Sequence, residues 1–330
     1  MTPLTIIHHP ECILHLTGQG HPECPERYIA VINELQNQGY LQEASFNLLA
    51  KKASNADILR CHSQIYVNRV KAECEYLRML NIPEATSMLS TGDVQICSNS
   101  FEIALLAAGA GLLAVDKVMQ EKSKTAFCAM RPPGHHATTS QGMGFCLFNN
   151  IAIAARYAQA TYNVKKVLIV DWDVHHGNGT QEIFYNDPSV FYFSTHQEGI
   201  YPGTGKKEDI GAGNIYNCPI SGGKNSRLEV LKAYEDDLAN AMLLFKPELV
   251  LISAGFDAHH TDPLGGYDAH CGTPQAGFDL ITQDFTTLTE IVQKIAKKHC
   301  QGKIVSILEG GYNLKALAES VRAHTKILSE

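Results

Sequence analysis

Short runs of β-branched and aromatic residues recur along the chain, separated by longer stretches whose apolar positions repeat at helical spacing. Thr125–Met130, Lys166–Val170, Val190–Ser194, Glu248–Ser253 and Lys303–Leu308 read as strands, with a further strand just before the His8-His9 doublet. Phe101–Gln120, Asn150–Ala160, Arg227–Phe245, Gln275–Lys298 and Leu314–Ile327 read as helices. Such alternation predicts an α/β fold, a mainly parallel sheet with helices on both faces, because each crossover between parallel strands must pass over the sheet. No linker, repeat or low-complexity tract interrupts the pattern. Gln197–Asn214 and His259–Gln275 are glycine-containing connections within it, so residues 1–330 read as a single domain.

Composition narrows the function classes. The 330 residues are 45% hydrophobic and 18% charged, which is ordinary for a globular protein and excludes disordered, collagenous and coiled-coil chains. There are 27 Lys plus Arg against 34 Asp plus Glu, a net charge of −7, so no positive field is available to hold a nucleic-acid backbone. The 10 cysteines are scattered without a Cys-x-x-Cys pair and read as reduced thiols. The chain starts Met1-Thr-Pro-Leu with no basic or long apolar leader, and no window is apolar enough to span a bilayer. These features predict a soluble, cytoplasmic protein.

The chemistry-bearing residues cluster where strands end. Arg131-Pro-Pro-Gly-His-His136, Asp171-Trp-Asp-Val-His-His-Gly-Asn178, Ala254-Gly-Phe-Asp257 and Glu309-Gly-Gly-Tyr-Asn313 each follow a predicted strand directly. In a parallel sheet the carboxyl ends of the strands line one crevice, so these segments should converge. Asp173 and His175 lie two apart on an extended segment, hence on one side, and Asp257 can supply a third ligand. Two carboxylates and an imidazole suit zinc with a position left open for water. His135 and His136 can supply a base, with Asp171 an anionic partner for one ring and Asn178 a neutral partner for the other. Tyr312, between glycines and a helix, can donate its hydroxyl to a developing oxyanion. Other histidines read more plainly: His8-His9 as local packing, His176 as a buried residue out of phase with Asp173, and His259-His260 as solvated loop residues.

At these residues the chain resembles the zinc-dependent histone deacetylases, specifically the class II group with its bacterial deacetylase-like and acetylpolyamine amidohydrolase relatives. The resemblance runs nearly end to end, through Gly20-His-Pro-Glu-Cys-Pro-Glu-Arg27, Thr91-Gly-Asp93, Arg131-Pro-Pro-Gly-His-His136, Gly144-Phe-Cys-Leu-Phe-Asn-Asn150 and Asp171-Trp-Asp-Val-His-His-Gly-Asn-Gly-Thr180. It continues through Tyr201-Pro-Gly-Thr-Gly205, Ser253-Ala-Gly-Phe-Asp257, Asp262-Pro-Leu-Gly-Gly266 and Leu308-Glu-Gly-Gly-Tyr-Asn313. It implies an arginase-like fold, zinc on Asp173, His175 and Asp257, His136 as general base and acid, His135 as its electrostatic partner, and Tyr312 on the carbonyl oxygen. Phe145 and Tyr201 match the aromatic walls of an acyl-lysine tunnel, Asp93 a rim residue that grips substrate backbone, and Arg27 an arginine lining a cavity below the metal. The family's potassium site would use Asp171, Asp173, His175, Ser194 and Thr195, and a second ion would fall at Phe184, Asp187, Val190 and Asn214.

Two departures within the family carry meaning. Asn178 stands where class I members have a second aspartate, and Tyr312 stands where the vertebrate class IIa enzymes have histidine, which implies competent hydrolysis. Polyamine-selective members carry a glutamate at the place of Leu264, so the resemblance implies an acetylated protein or peptide substrate, with acetylpolyamine as the alternative. A catalytically silent acyl-lysine binding module is a further alternative, against which His135, His136 and Tyr312 argue. A binuclear, arginase-like metal site would need more carboxylates, yet Gly177 lies four residues after Asp173, and Gly255 and His259 flank Asp257.

Overall fold

The computed structural model describes residues 4–43, 46–269 and 276–330. In chain order the strands are β1 (Leu4–His8), β2 (Asn47–Leu49), β3 (Thr86–Met88), β4 (Gln95–Cys97), β5 (Thr125–Ala129), β6 (Val167–Asp171), β7 (Val190–Gln197), β8 (Ile215–Ile220), β9 (Leu249–Ala254) and β10 (Ile304–Leu308). The helices are α1 (Pro25–Asn37), α2 (Asn55–Ile58), α3 (Gln64–Leu80), α4 (Ser100–Met119), α5 (Asn150–Tyr162), α6 (Asn178–Phe184), α7 (Ser226–Lys232), α8 (Ala239–Phe245), α9 (Thr282–Cys300) and α10 (Leu314–Leu328). Eight strands form one sheet in the order β2-β1-β5-β10-β9-β6-β7-β8, with every neighbouring pair parallel. The short β3 and β4 pair separately and antiparallel.

Period-two alternation sends the strand side chains to two separate cores. Ile7, Cys128, Ile169, Leu251 and Val305 pack on one face against α4 and α5, including Ala107 and Ile151. Their sequence neighbours Ile6, Phe127, Leu168, Val250 and Ile304 pack on the other face against α1, α9 and α10, including Val31, Leu288 and Val321. Both faces of the sheet are therefore covered, and its central strands are buried throughout. Among the described residues, no helix is long and apolar enough to cross a membrane.

The structure differs from the sequence expectation in several places. The helix expected over Arg227–Phe245 is divided by a wider turn at Ala233–Leu238 between α7 and α8. The helix expected from Gln275, a position outside the described residues, begins only at Thr282, where Asp284 Oδ2 accepts from Ile281 N at 2.8 Å. Before it, Phe278 and Leu280 bridge in extended form to Gly266 and His259, an alternation that overlaps helical phase over so few residues. Helices α1 and α3 were not foreseen, because their apolar stripes are thin and set among charged residues. Strand β8 carries Asn217 and Pro219, and a proline is tolerated in a strand at the sheet edge, where β8 lies. Cys271 and the end of the His259–Gln275 connection lie outside the described residues.

Candidate active site

The register of the central strands explains why the distant segments meet. Asp171 ends β6 directly opposite Ser194 of β7 and Ser253 of β9, and Leu308 of β10 lies opposite Ala254 of β9. The loops leaving β5, β6, β9 and β10 therefore start from one level of the sheet.

Asp173, His175 and Asp257 come together, with one ligand atom of each within 4.8 Å of the others. His175 Nδ1 lies 3.1 Å from Asp173 Oδ1 and 3.1 Å from Asp257 Oδ2. The remaining carboxylate oxygens are fixed by backbone amides: Gly310 N donates to Asp173 Oδ2 at 2.8 Å and Val174 N to Asp257 Oδ1 at 3.0 Å. Two glycines permit this approach. A Cβ on Gly255 would lie 2.1 Å from Asp173 Oδ2, and one on Gly310 would lie 2.1 Å from Asp257 Oδ2. Both carboxylates are buried, and burial together with Asp173 pushes Asp257 above the usual carboxylate range. Such a pair is unfavourable unless a cation sits between them, so the donor set fits a bound metal ion.

Beside this cluster stand two histidines whose rings are 4.0 Å apart. His135 Nδ1 faces Asp171 Oδ2 at 3.0 Å, and His136 Nδ1 faces Asn178 Oδ1 at 2.9 Å. Burial lowers His135, but Asp171 and Asp173 outweigh it and hold the ring at about 10. Burial also lowers His136, and His135 and His175 push it the same way, well below the usual histidine range. Asp171 and Asp173 thus hold one of two adjacent imidazoles cationic, while burial and that neighbouring charge keep the other neutral.

These groups open onto a cavity of about 440 Å³. His136, His175, Tyr312 and Asp93 supply polar groups to its lining, and Phe145, Ile200, Tyr201 and Leu264 supply apolar and aromatic ones. Asp93 Oδ1 accepts from Gly144 N at 2.9 Å and from the Tyr201 hydroxyl at 3.3 Å, tying the two aromatic walls to the rim. Arg27 does not line the cavity. It is fully buried with its guanidinium 4.9 Å from the centre of the Tyr312 ring, and its Nε donates to Gly311 O at 2.6 Å.

Residues to which the sequence reading gave no role support the site from beneath. Glu309 Oε2 accepts from Gly134 N at 2.6 Å and His135 N at 3.2 Å, fixing the histidine loop. Asp262 Oδ2 accepts from Tyr312 N at 2.6 Å while its Oδ1 accepts from Leu264 N at 2.9 Å, joining two walls of the cavity. The Tyr192 hydroxyl donates to Asp171 Oδ2 at 2.9 Å. His8 bonds Tyr28 and Asn47, and His176 is buried between Thr204 and Gln181, as expected of packing residues. His259 needs correction. It is buried, not solvated, and held at about 4 by burial, because Thr261 and Thr282 enclose its ring; it faces a groove other than the cavity.

Residues 21–328 match the family model described as "Histone deacetylase domain". The chain belongs to the histone deacetylase family. Histone deacetylase 14, chloroplastic, of Arabidopsis thaliana is 36% identical over 96% of this chain and 74% of its own length. A "Probable deacetylase" of Archaeoglobus fulgidus is 34% identical over 94% of the chain and 81% of its own length. The polyamine deacetylase HDAC10 of Danio rerio is 37% identical over 91% of the chain and 43% of its own length. The crystal structure of the HDA15 HD domain superposes with a TM-score of 0.85 at 34% identity, covering 98% of this chain and 90% of that one. The protein is thus a hydrolytic deacetylase of a zinc-dependent family, with the family's arginase-like fold.

Proposed function

We propose that this deacetylase removes acetyl, or a comparably short acyl group, from the ε-amine of lysine in proteins or peptides. One observation carries the substrate class: the cavity leading to the buried cluster is walled by Phe145 and Tyr201 and presents apolar Leu264 on its lining. A flat aliphatic stem fits between two rings, and a polyamine's distant ammonium finds no anion at Leu264.

Zinc bound by Asp173, His175 and Asp257 would polarise the acyl carbonyl and acidify water. His136 takes the proton of the attacking water and returns it to the departing amine. His135, held by Asp171, keeps positive charge beside His136 without competing for that proton. The Tyr312 hydroxyl donates to the acyl oxygen as its charge grows. Asp93, whose Oδ1 is occupied by Gly144 N and Tyr201, offers Oδ2 to substrate backbone N–H. Arg27, buried with its guanidinium 4.9 Å from the centre of the Tyr312 ring, positions that ring rather than meeting substrate.

Potassium has two candidate positions. Asp171, Asp173, His175, Ser194 and Thr195 lie at the adjacent ends of β6 and β7, where one ion would offset the carboxylates. At the second, the carbonyls of Phe184, Asp187 and Val190 accept from Asn214 Nδ2 at 2.9, 3.0 and 2.7 Å, and an ion there would take those carbonyls as ligands in place of the amide NH₂.

The test compares kcat/KM for an acetyl-lysine peptide and for N8-acetylspermidine, in wild type and Leu264→Glu. Wild type should favour the peptide several-fold, and Leu264→Glu should narrow or reverse the ratio, since one partly screened charge contact is worth about 1 kcal/mol. A wild-type preference for the acetylpolyamine would overturn the lysine reading, and absence of acetate release from either would support a silent binding module.

A further inference from the structure

An asparagine beside a general base poses a problem that an aspartate would not. Among the described residues the His136 ring makes one hydrogen bond, between Nδ1 and Asn178 Oδ1. An asparagine amide can present either its oxygen or its NH₂. Presenting oxygen, it accepts from Nδ1–H and leaves the lone pair on Nε2, the nitrogen remaining for the cavity that His136 lines. Presenting NH₂, it donates to Nδ1 and puts the ring proton on Nε2, which then cannot accept another while the ring stays neutral. Neither residue alone decides between the two.

A third atom does. Asn178 Nδ2 lies 3.2 Å from Met143 Sδ. A thioether accepts and cannot donate, so the sulfur is satisfied by the NH₂ and would meet the amide oxygen lone pair to lone pair. We propose that Met143 is a positioning residue whose sulfur selects the orientation of the Asn178 amide and, through it, the Nδ1–H tautomer of His136. The proposal rests on the reading of His136 as the base.

Met143 is held firmly enough for this. It opens a tight turn closed at both ends, with Met143 N donating to Cys146 O at 3.2 Å and Cys146 N to Met143 O at 2.9 Å. The two central residues, Gly144 and Phe145, have φ of 54° and 68°, the left-handed pair such a turn requires. The turn lies directly on the base: a Cβ on Gly144 would fall 2.2 Å from His136 Cδ2. Gly144 N is anchored to Asp93 and Phe145 supplies a cavity wall, so the backbone that carries the sulfur is one turn with the substrate wall and packs on the imidazole ring. Asn178 is equally constrained as the first residue of α6, its own N donating to His176 O at 2.9 Å. The side-chain amide is held at both ends, by His136 Nδ1 on its oxygen and by Met143 Sδ on its NH₂.

Met143→Leu keeps the volume and removes the acceptor. In the zinc-loaded enzyme it should leave zinc content, melting temperature and KM unchanged and lower kcat about two- to tenfold, the effect of losing one neutral hydrogen bond. The decisive arm is a double-mutant cycle with Asn178→Asp, whose carboxylate has no NH₂ to misdirect, so the Met143→Leu loss should vanish there. Nitrogen-15 NMR of the ring, assigned through His136→Ala, reads the tautomer without turnover: Nδ1–H in wild type, moving toward Nε2–H in Met143→Leu. An equal loss of kcat in both backgrounds, or an unchanged ring signal, overturns the proposal. Full turnover in His136→Ala would instead overturn the general-base reading, and the ring signal alone would then uphold or refute the selection of tautomer.

Discussion

Replacing Tyr312 by Phe isolates a single hydroxyl. The ring is held by contacts that phenylalanine keeps: the Arg27 guanidinium 4.9 Å from its centre on one side and Phe145 at 5.8 Å edge-on. The backbone is held by Asp262, which accepts from Tyr312 N at 2.6 Å whatever the side chain. The substitution should therefore change neither fold nor metal content, and its whole effect should fall on the acyl oxygen. Burial keeps the Tyr312 pKa well above the usual value, so the group is a protonated donor across the working pH range. Losing one such donor to a developing oxyanion lowers kcat by about 10²–10³-fold, roughly 2.7–4 kcal/mol of transition-state stabilisation. KM should move much less, because the neutral amide carbonyl of the bound substrate carries little of that charge. Steady-state acetate release from an acetyl-lysine peptide measures both constants, with zinc stoichiometry and a melting curve on the same sample as controls. A kcat within about threefold of wild type, with those controls unchanged, would refute the role and require another group to polarise the carbonyl.

Asp173→Ala, His175→Ala and Asp257→Ala should each lose zinc and activity together, since three protein ligands leave no redundancy; stoichiometric zinc by emission spectroscopy in any folded variant would remove that residue from the site. Acid should destabilise the protein through buried histidines that stay neutral in the folded chain. Burial lowers His15 to about 3, His62 to about 4 and His324 to about 3, from an ordinary value of 6.5. The unfolded chain then binds more protons than the folded one, so their contribution is complete above pH 6.5 and is lost toward pH 3–4, at about 1.4 kcal/mol per histidine per pH unit. Denaturant unfolding from pH 7.5 down to pH 5, on zinc-loaded and chelator-treated protein alike, checks it; a flat profile in the chelated sample would contradict neutral burial.

Most of the sheet was legible because its strands are buried on both faces and so appear as short, nearly unbroken apolar runs. Thr125–Met130 and Lys303–Leu308 differ from the observed β5 and β10 by a residue at one end. The failures share a cause: they are elements whose burial is partial or one-sided. The edge strand β8 leaves Tyr216, Cys218 and Pro219 only half-buried, which erases the run. Helix α3 buries Val67, Val70, Cys74 and Leu77 beneath a surface of Asn, Arg, Lys and Glu, so its stripe is one residue wide. At Phe278 and Leu280 the error has the opposite sign, since two apolar residues fit either period and only the fold chooses.

The site divides along a different line. Groups that meet the cavity with their side chains were legible because their chemistry depends on residue type: an imidazole, a carboxylate or a phenol at a strand end has few structural reasons to be there. Glu309 and Asp262 were equally present in the motifs, yet they act by accepting from backbone amides, and every residue except proline offers one. Which amides a carboxylate will reach is set by the turn of the chain, as when Asp262 collects Leu264 N from two residues ahead and Tyr312 N from across the fold. Residue identity names the acceptor but not its donors. The same holds for Met143, whose sulfur matters only because a left-handed turn delivers it to the Asn178 amide. The parts of the site that set geometry are therefore written in backbone conformation, which side-chain pattern encodes weakly, while the parts that carry charge are written in residue type. Substitutions at Glu309, Asp262 and Met143 should accordingly disturb rate and orientation before they disturb metal affinity.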